Sequence, residues 1–223
     1  MFEAHIAGIE FEELARLHSH SRLVGYLGST DGDRRLAVRL YEWNLRASGA
    51  FYELLADVEL VLRNCIHEQM SRWSERDGLD PDWFVSRIDY LDHRARADLE
   101  VAVKRIEKSG NPLNTDRLVT ELGFGFWRFL LTNRYRGTLW THAIRFAFPN
   151  LRADHSPQLF TKVGNLHDLR NRIAHHRPIH HRRLELDLRD AYEVIGAMSQ
   201  EAEKWARGRS RVEEVMKSRP RKS

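Results

Sequence analysis

From Ala50 to Trp73 one face of the chain is apolar: Phe51, Leu54, Leu55, Val58, Val61, Leu62, Ile66, Met70 and Trp73 recur at spacings of three and four. That rhythm belongs to an amphipathic α-helix and is incompatible with the strict alternation of a half-buried strand. A helix this long cannot cover its own stripe, so it demands partner helices. The same rhythm returns around Ile9–Leu17 and Leu23–Leu27, over Arg34–Arg46, 88–109, Val119–Leu122, 138–148 and Leu186–Trp205, and after Ser156. No strand signal survives beside these segments. The expected class is all-α: one helical bundle over residues 1–223 with additional peripheral helices.

Punctuation fits that reading. Ser29-Thr30-Asp31-Gly32-Asp33 is a turn that supplies an N-cap, while Ser48-Gly49 either interrupts the following helix or bends it. A loop with Gly78 and Pro81 leads into Trp83-Phe84, expected to plug the bundle. Ser109-Gly110-Asn111-Pro112 stops the helix before it, and Asn114 or Thr115 caps the next. The aromatic run Phe124-Gly125-Phe126-Trp127 could stack bases, but Phe and Trp at this spacing are usually core. The basic tail Arg219–Ser223 is expected to be mobile.

Composition narrows the compartment more than the function. With 42% apolar residues a core is within reach, yet no run approaches the ~18 residues of a membrane span. Met1-Phe2-Glu3-Ala4-His5 lacks a basic region followed by an apolar run, so no secretory signal is expected. The single cysteine, Cys65, cannot form an internal disulfide, which fits a reducing cytoplasm. A net charge of +4 permits nucleic-acid binding without demanding it, and the basic residues are mostly arginine, suited to forked phosphate contacts.

The chemistry concentrates at His167-Asp168-Leu169-Arg170-Asn171-Arg172-Ile173-Ala174-His175-His176, closed by Arg177-Pro178. Ser156 reads as an N-cap and Pro157 as the first helical residue; Leu159, Phe160, Val163, Leu166, Leu169 and Ile173 mark the buried stripe. The helix is expected over about 157–177, with both histidines in its last turn, where a cation is favoured and an imidazole can move protons. At ~100° per residue Asn171 lies about 40° from His175, while Arg170 lies about 140° from it. A face so polar needs a second surface to become a cleft.

The string Arg170-Asn171-x-x-Ala174-His175-His176 resembles the R-N-x-x-A-H-H signature of the Abi-like (abortive infection) proteins, within the HEPN superfamily of helical ribonucleases. Glu121-Leu122-Gly123-Phe124-Gly125 is similar to their E-L-(S/T)-F-G stretch, with Gly123 where Ser or Thr is usual. The resemblance implies a metal-independent endoribonuclease without cofactor. In it Arg170 holds the scissile phosphate, His175 carries a proton, Asn171 orients, and His176 is a second proton carrier or a structural residue. It also implies a homodimer with the site at the subunit interface, RNA as partner, an antitoxin as a further possible partner, and a cytoplasmic role in antiphage or toxin–antitoxin defence. Glu59-x-x-x-Arg63 matches an E-x-x-x-R that tends to face the catalytic helix in the family; its plain reading is an i, i+4 surface pair worth ~0.3 kcal/mol. Glu59, Arg63 and His180 are therefore carried as substrate-binding candidates. The aromatic residue that some toxin relatives carry two positions after the histidine is replaced by Arg177.

Two other readings compete. His175, His176, His180 and His181 could gather around a metal, but no cysteine is near and Pro178 breaks the i, i+4 geometry between His176 and His180, so no metal is assigned. A non-catalytic HEPN-like module that binds RNA, nucleotide or protein would carry the same fold.

Overall fold

The computed structural model describes residues 9–151 and 156–221, and among these the chain is all-α, with no strand. The readings of Met1–His5 and of Lys222 and Ser223 lie outside the described residues. Two short helices, α1 (Phe11–His18) and α2 (His20–Gly28), precede the spine of the molecule, α3 (Arg34–Arg76). Asp33 caps α3 by accepting from the Leu36 N–H at 2.9 Å. Its 43 residues run unbroken through Ser48-Gly49. A mid-helix glycine costs only ~1 kcal/mol, less than the burial of Ala47, Ala50, Phe51, Leu54 and Leu55 around it contributes. At ~1.5 Å per residue α3 is about 65 Å long, and α1, α2 and most of the later helices touch it.

A short helix α4 (Trp83–Ser86) does plug the bundle, with Trp83 and Phe84 buried. α5 (His93–Lys108) starts later than expected. Asp92 Oδ1 accepts from Ala95 N at 2.9 Å and fixes the first turn there, leaving Ile88–Tyr90 as a 3₁₀ turn. α6 (Thr115–Glu121) is capped by Asn114, and α7 (Phe124–Leu130) buries Phe124, Phe126, Trp127 and Leu130.

The expected helix over 138–148 is instead a π turn, Arg136–Trp140, and a 3₁₀ turn, Ile144–Ala147, parted at Ala143. The hydroxyls of Thr138 and Thr141 bond to the Tyr135 and Arg136 carbonyls, the local competition that weakens regular helix. Leu139, Ile144 and Phe148 are still buried.

α8 (Ser156–Ala174) and α9 (Leu184–Met198) pack on α3 and on each other to form the central layer. The expected single helix Leu186–Trp205 is two. Ser199 turns extended (φ −151°, ψ 124°), and its Oγ accepts from Ala202 N at 3.1 Å to start α10 (Gln200–Arg209). A final helix, α11 (Val212–Lys217), was not anticipated; it returns to α3, where Trp43 Nε1 donates to Val215 O at 2.7 Å. Of the tail, Arg219 lies over the Trp43 ring, 5.1 Å from its centroid. No described helix is long and apolar enough to cross a membrane.

Candidate active site

α8 orients the motif by burying its stripe: Leu159, Val163, Leu166, Leu169 and Ile173 all face the core. Arg170 and Asn171 are thereby left half-buried at the seam with α3. The two helices run antiparallel there, since Asn44–Tyr52 of α3 meets Ile173–Arg177 while the later Glu59 meets Arg170. Glu59 Oε2 lies 3.5 Å from Arg170 Nη2, and Arg170 Nη1 donates to Asn171 Oδ1 at 3.3 Å. Glu59 thus faces the motif helix rather than pairing along α3, and Arg63 Nε donates to Asn64 Oδ1 at 3.3 Å instead.

The network continues upstream to a residue that sequence reasoning left without a role. The Asn171 amide nitrogen lies 3.2 Å from His167 Nε2, and His167 Nδ1 is 3.7 Å from Asp168 Oδ1. Phe124 meets the imidazole edge-on, centroids 5.4 Å apart. Two glycines admit these groups: a Cβ on Gly125 would press His167 Nε2 at 3.4 Å, and one on Gly164 would meet the Arg128 guanidinium at 3.4 Å. The Phe124-Gly125 stretch therefore walls the site as well as the core. Burial first, then the charges of Arg128 and Arg170, pull the His167 imidazole below the ordinary histidine range, with Asp168 opposing. The i, i+4 spacing of His167 and Asn171 was the available signal for their meeting.

Downstream, α8 stops three residues short of the expected end. His175 N–H reaches Asn171 O at 3.0 Å, His176 N–H reaches Ile173 O at 2.9 Å, and Arg177 N–H reaches Arg172 O at 2.7 Å. This is a Schellman close, with His176 in the left-handed position (φ 53°) that glycine normally fills. His175, His176 and Arg177 consequently stand exposed, just beyond the helix rather than in its last turn. The loop beneath them is clamped: Arg22 Nη1 donates to His176 O, and Arg172 Nη2 donates to Pro178 O and to His181 Nε2, each at 3.0 Å.

His180 does not join this surface. It is 5% exposed, packed against Tyr26 with the rings tilted and their centroids 4.5 Å apart, and its Nε2 contacts Ser29 Oγ at 3.0 Å. Asn44 Oδ1 accepts from the Ile179 and His180 N–H groups at 2.8 and 3.1 Å, drawing the loop inward. A substrate-binding role for His180 has no geometric support, because buried Ile179 pulls the residue after it into the interior. The four-histidine string is split in consequence, and among the described residues no group of three or more His, Cys, Asp or Glu side chains is arranged to hold a metal ion. What the site offers is a held guanidinium, an amide, a shielded imidazole and two exposed imidazoles just past one helix end. Comparisons with protein-family models, with curated proteins and with solved structures find no match to this chain.

Proposed function

We propose that the chain is an endoribonuclease of the Abi-like HEPN type, cleaving RNA without a metal. The observation that carries the reading is the Glu59–Arg170–Asn171 network one turn before a capped helix end that leaves His175 and His176 free. Metal-free RNA cleavage needs a base, an acid and a cation for the charge that develops on phosphorus. His175 removes the 2′-OH proton, the 2′-oxygen attacks phosphorus, and the bond to the 5′-oxygen breaks as His176 delivers a proton to it. The products carry a 2′,3′-cyclic phosphate and a 5′-OH. Arg170, aligned by Glu59, grips the non-bridging oxygens with its fork, and Asn171 orients the adjacent groups. Arg63, one turn beyond Glu59 on α3, lends further positive charge.

The exposed histidines have one wall within a single chain, and a second copy facing them would complete a cleft; we infer a homodimer on that ground and from the resemblance. A cytoplasmic setting, an antiphage or toxin–antitoxin role and an antitoxin partner rest on the resemblance alone. The test is incubation of labelled tRNA and mRNA with the purified chain in EDTA, with product ends mapped. Cyclic-phosphate ends should appear with the wild type and fall by about 10²-fold or more in Arg170→Ala and in His175→Ala. Cleavage that survives both substitutions would sink the site assignment. Binding without cutting, unchanged by His175→Ala, would instead favour a non-catalytic RNA- or partner-binding module.

A further inference from the structure

Beside the motif, where the first half of α3 passes the end of α8, lies an open pocket of about 460 Å³. Its α3 wall carries Leu45 and Tyr52, two large side chains 51% and 52% exposed and seven residues apart on one helix face. Ser48 and Gly49 lie between them, Ile173 and Ala174 line the α8 wall, and Asn44, His176 and Arg177 complete the lining. The Tyr52 ring makes no hydrogen bond or ring contact among the described residues, and no carboxylate lines the pocket. Arg22, bonded to the His176 carbonyl, adds a third basic side chain close by.

An exposed aromatic face, an aliphatic neighbour, a hydroxyl and surrounding cations describe a receptor for a flat, aromatic, anionic ligand. The pocket is also continuous with the site. Glu59, which contacts Arg170, follows Tyr52 by seven residues on one face of α3, so Tyr52 stands about 10 Å along that axis from the Arg170 contact. A strand whose phosphate rests on Arg170 has a neighbouring nucleotide within reach of Tyr52. Leu45 and Tyr52 could also be covered by protein, but an acid-free lining with cationic side chains at its edge suits a polyanion better than an apolar partner face.

We infer that this pocket is a nucleobase subsite, in which one unpaired base adjoining the scissile phosphate stacks on Tyr52 while Arg177 and Arg22 face its backbone. The inference rests on the ribonuclease reading for its placement and deepens it, making Tyr52 a specificity-determining residue. Only a base out of its stack reaches such a pocket.

The test is fluorescence anisotropy of a labelled single-stranded RNA oligonucleotide on His175→Ala, which keeps Tyr52 and Arg170 intact. Abasic nucleotides are then placed one at a time along the strand, and cleavage by the wild type is measured in parallel. Adding Tyr52→Ala should weaken binding at least about fivefold, the lower end of base–aromatic stacking, while Tyr52→Phe restores it. One abasic position should reproduce the loss with Tyr52 present and cost nothing further in Tyr52→Ala. Unchanged melting temperature and circular dichroism guard against misfolding. Cleavage that proceeds with Tyr52→Ala binding as tightly as its parent overturns the subsite and leaves the ribonuclease standing. Tyr52-dependent binding without cleavage by the wild type does the reverse. Loss of a dimer in Tyr52→Ala by light scattering, with RNA binding unchanged, overturns the subsite in favour of a contact between copies; no RNA binding at all overturns it outright.

Discussion

Acid should destabilise this fold through His180, and the structure says by how much. Ser29 Oγ donates to Gly25 O at 2.9 Å, so at its 3.0 Å contact with His180 Nε2 the hydroxyl accepts and the imidazole proton sits on Nε2. A second proton would have to go on Nδ1, which is buried without a hydrogen-bond partner among the described residues. Burial, then the nearby His181 and Arg219, push the imidazole from the ordinary 6.5 down to about 4. Between those two values the unfolded chain binds a proton that the folded chain refuses. This contribution to stability is therefore full above pH 6.5, declines as the pH falls, and is wholly lost below about 4. Across the window it amounts to about 3 kcal/mol, a large share of a typical domain's 5–15 kcal/mol. The assay is urea unfolding followed by circular dichroism from pH 4.5 to 7.5, wild type beside His180→Gln. His67, His167 and His181 are also held below the ordinary range and remain in both proteins, so the comparison isolates one imidazole. The slope of stability against pH should shrink in His180→Gln by up to about 1.4 kcal/mol per pH unit. Parallel slopes for the two proteins would refute the reasoning, whatever the absolute stabilities.

Two substitutions probe the platform under the histidines. Asn44→Ala removes the acceptor for two buried N–H groups, those of Ile179 and His180, and should cost about 2–4 kcal/mol of unfolding free energy, read by urea titration; a loss under about 0.5 kcal/mol would mean that the loop does not depend on it. His176→Gly relieves a left-handed residue (φ 53°) of about 1–2 kcal/mol and returns part of that as unfolded-state entropy. Melting should rise by a few degrees in calorimetry, and a fall would show that the imidazole itself holds the fold.

Periodicity carried most of the architecture, and it failed where backbone competition is local. Ser48-Gly49 left α3 ambiguous because propensity there is weak; burial on both sides settles it as helix. Ser199 was hidden inside an apolar rhythm that continues across it, yet one side-chain bond to Ala202 N suffices to end α9 and start α10. The Thr138 and Thr141 hydroxyls break 136–147 in the same manner. At the site, the polar residues were legible because each is a local signal, whereas the helix ends at Ala174 through a left-handed His176 and not against Pro178, a close that nothing in the residue types announces. The facing of Glu59 onto the motif helix was expected from the resemblance alone, not from periodicity, since residues 111 positions apart meet only through the antiparallel register of α3 and α8. His167 and Arg128 were missed for a related reason: what makes room for them is the absence of side chains at Gly125 and Gly164, visible only once the helices are packed.

The two halves of the motif have different surroundings. Arg170 and Asn171 sit half-buried in a chain of contacts running from Glu59 to His167, where low solvent access strengthens each polar interaction and fixes direction. His175 and His176 sit past the helix end, exposed, on a loop whose backbone is held by the Schellman bonds, by Arg22, by Arg172 and, through Ile179 and His180, by Asn44. For the proposed ribonuclease a mobile loop would scatter the imidazoles, and a fully buried one would deny them substrate. Clamping the backbone while leaving the side chains exposed resolves that conflict, and the helix close puts its strain on His176, whose φ of 53° glycine would adopt more easily.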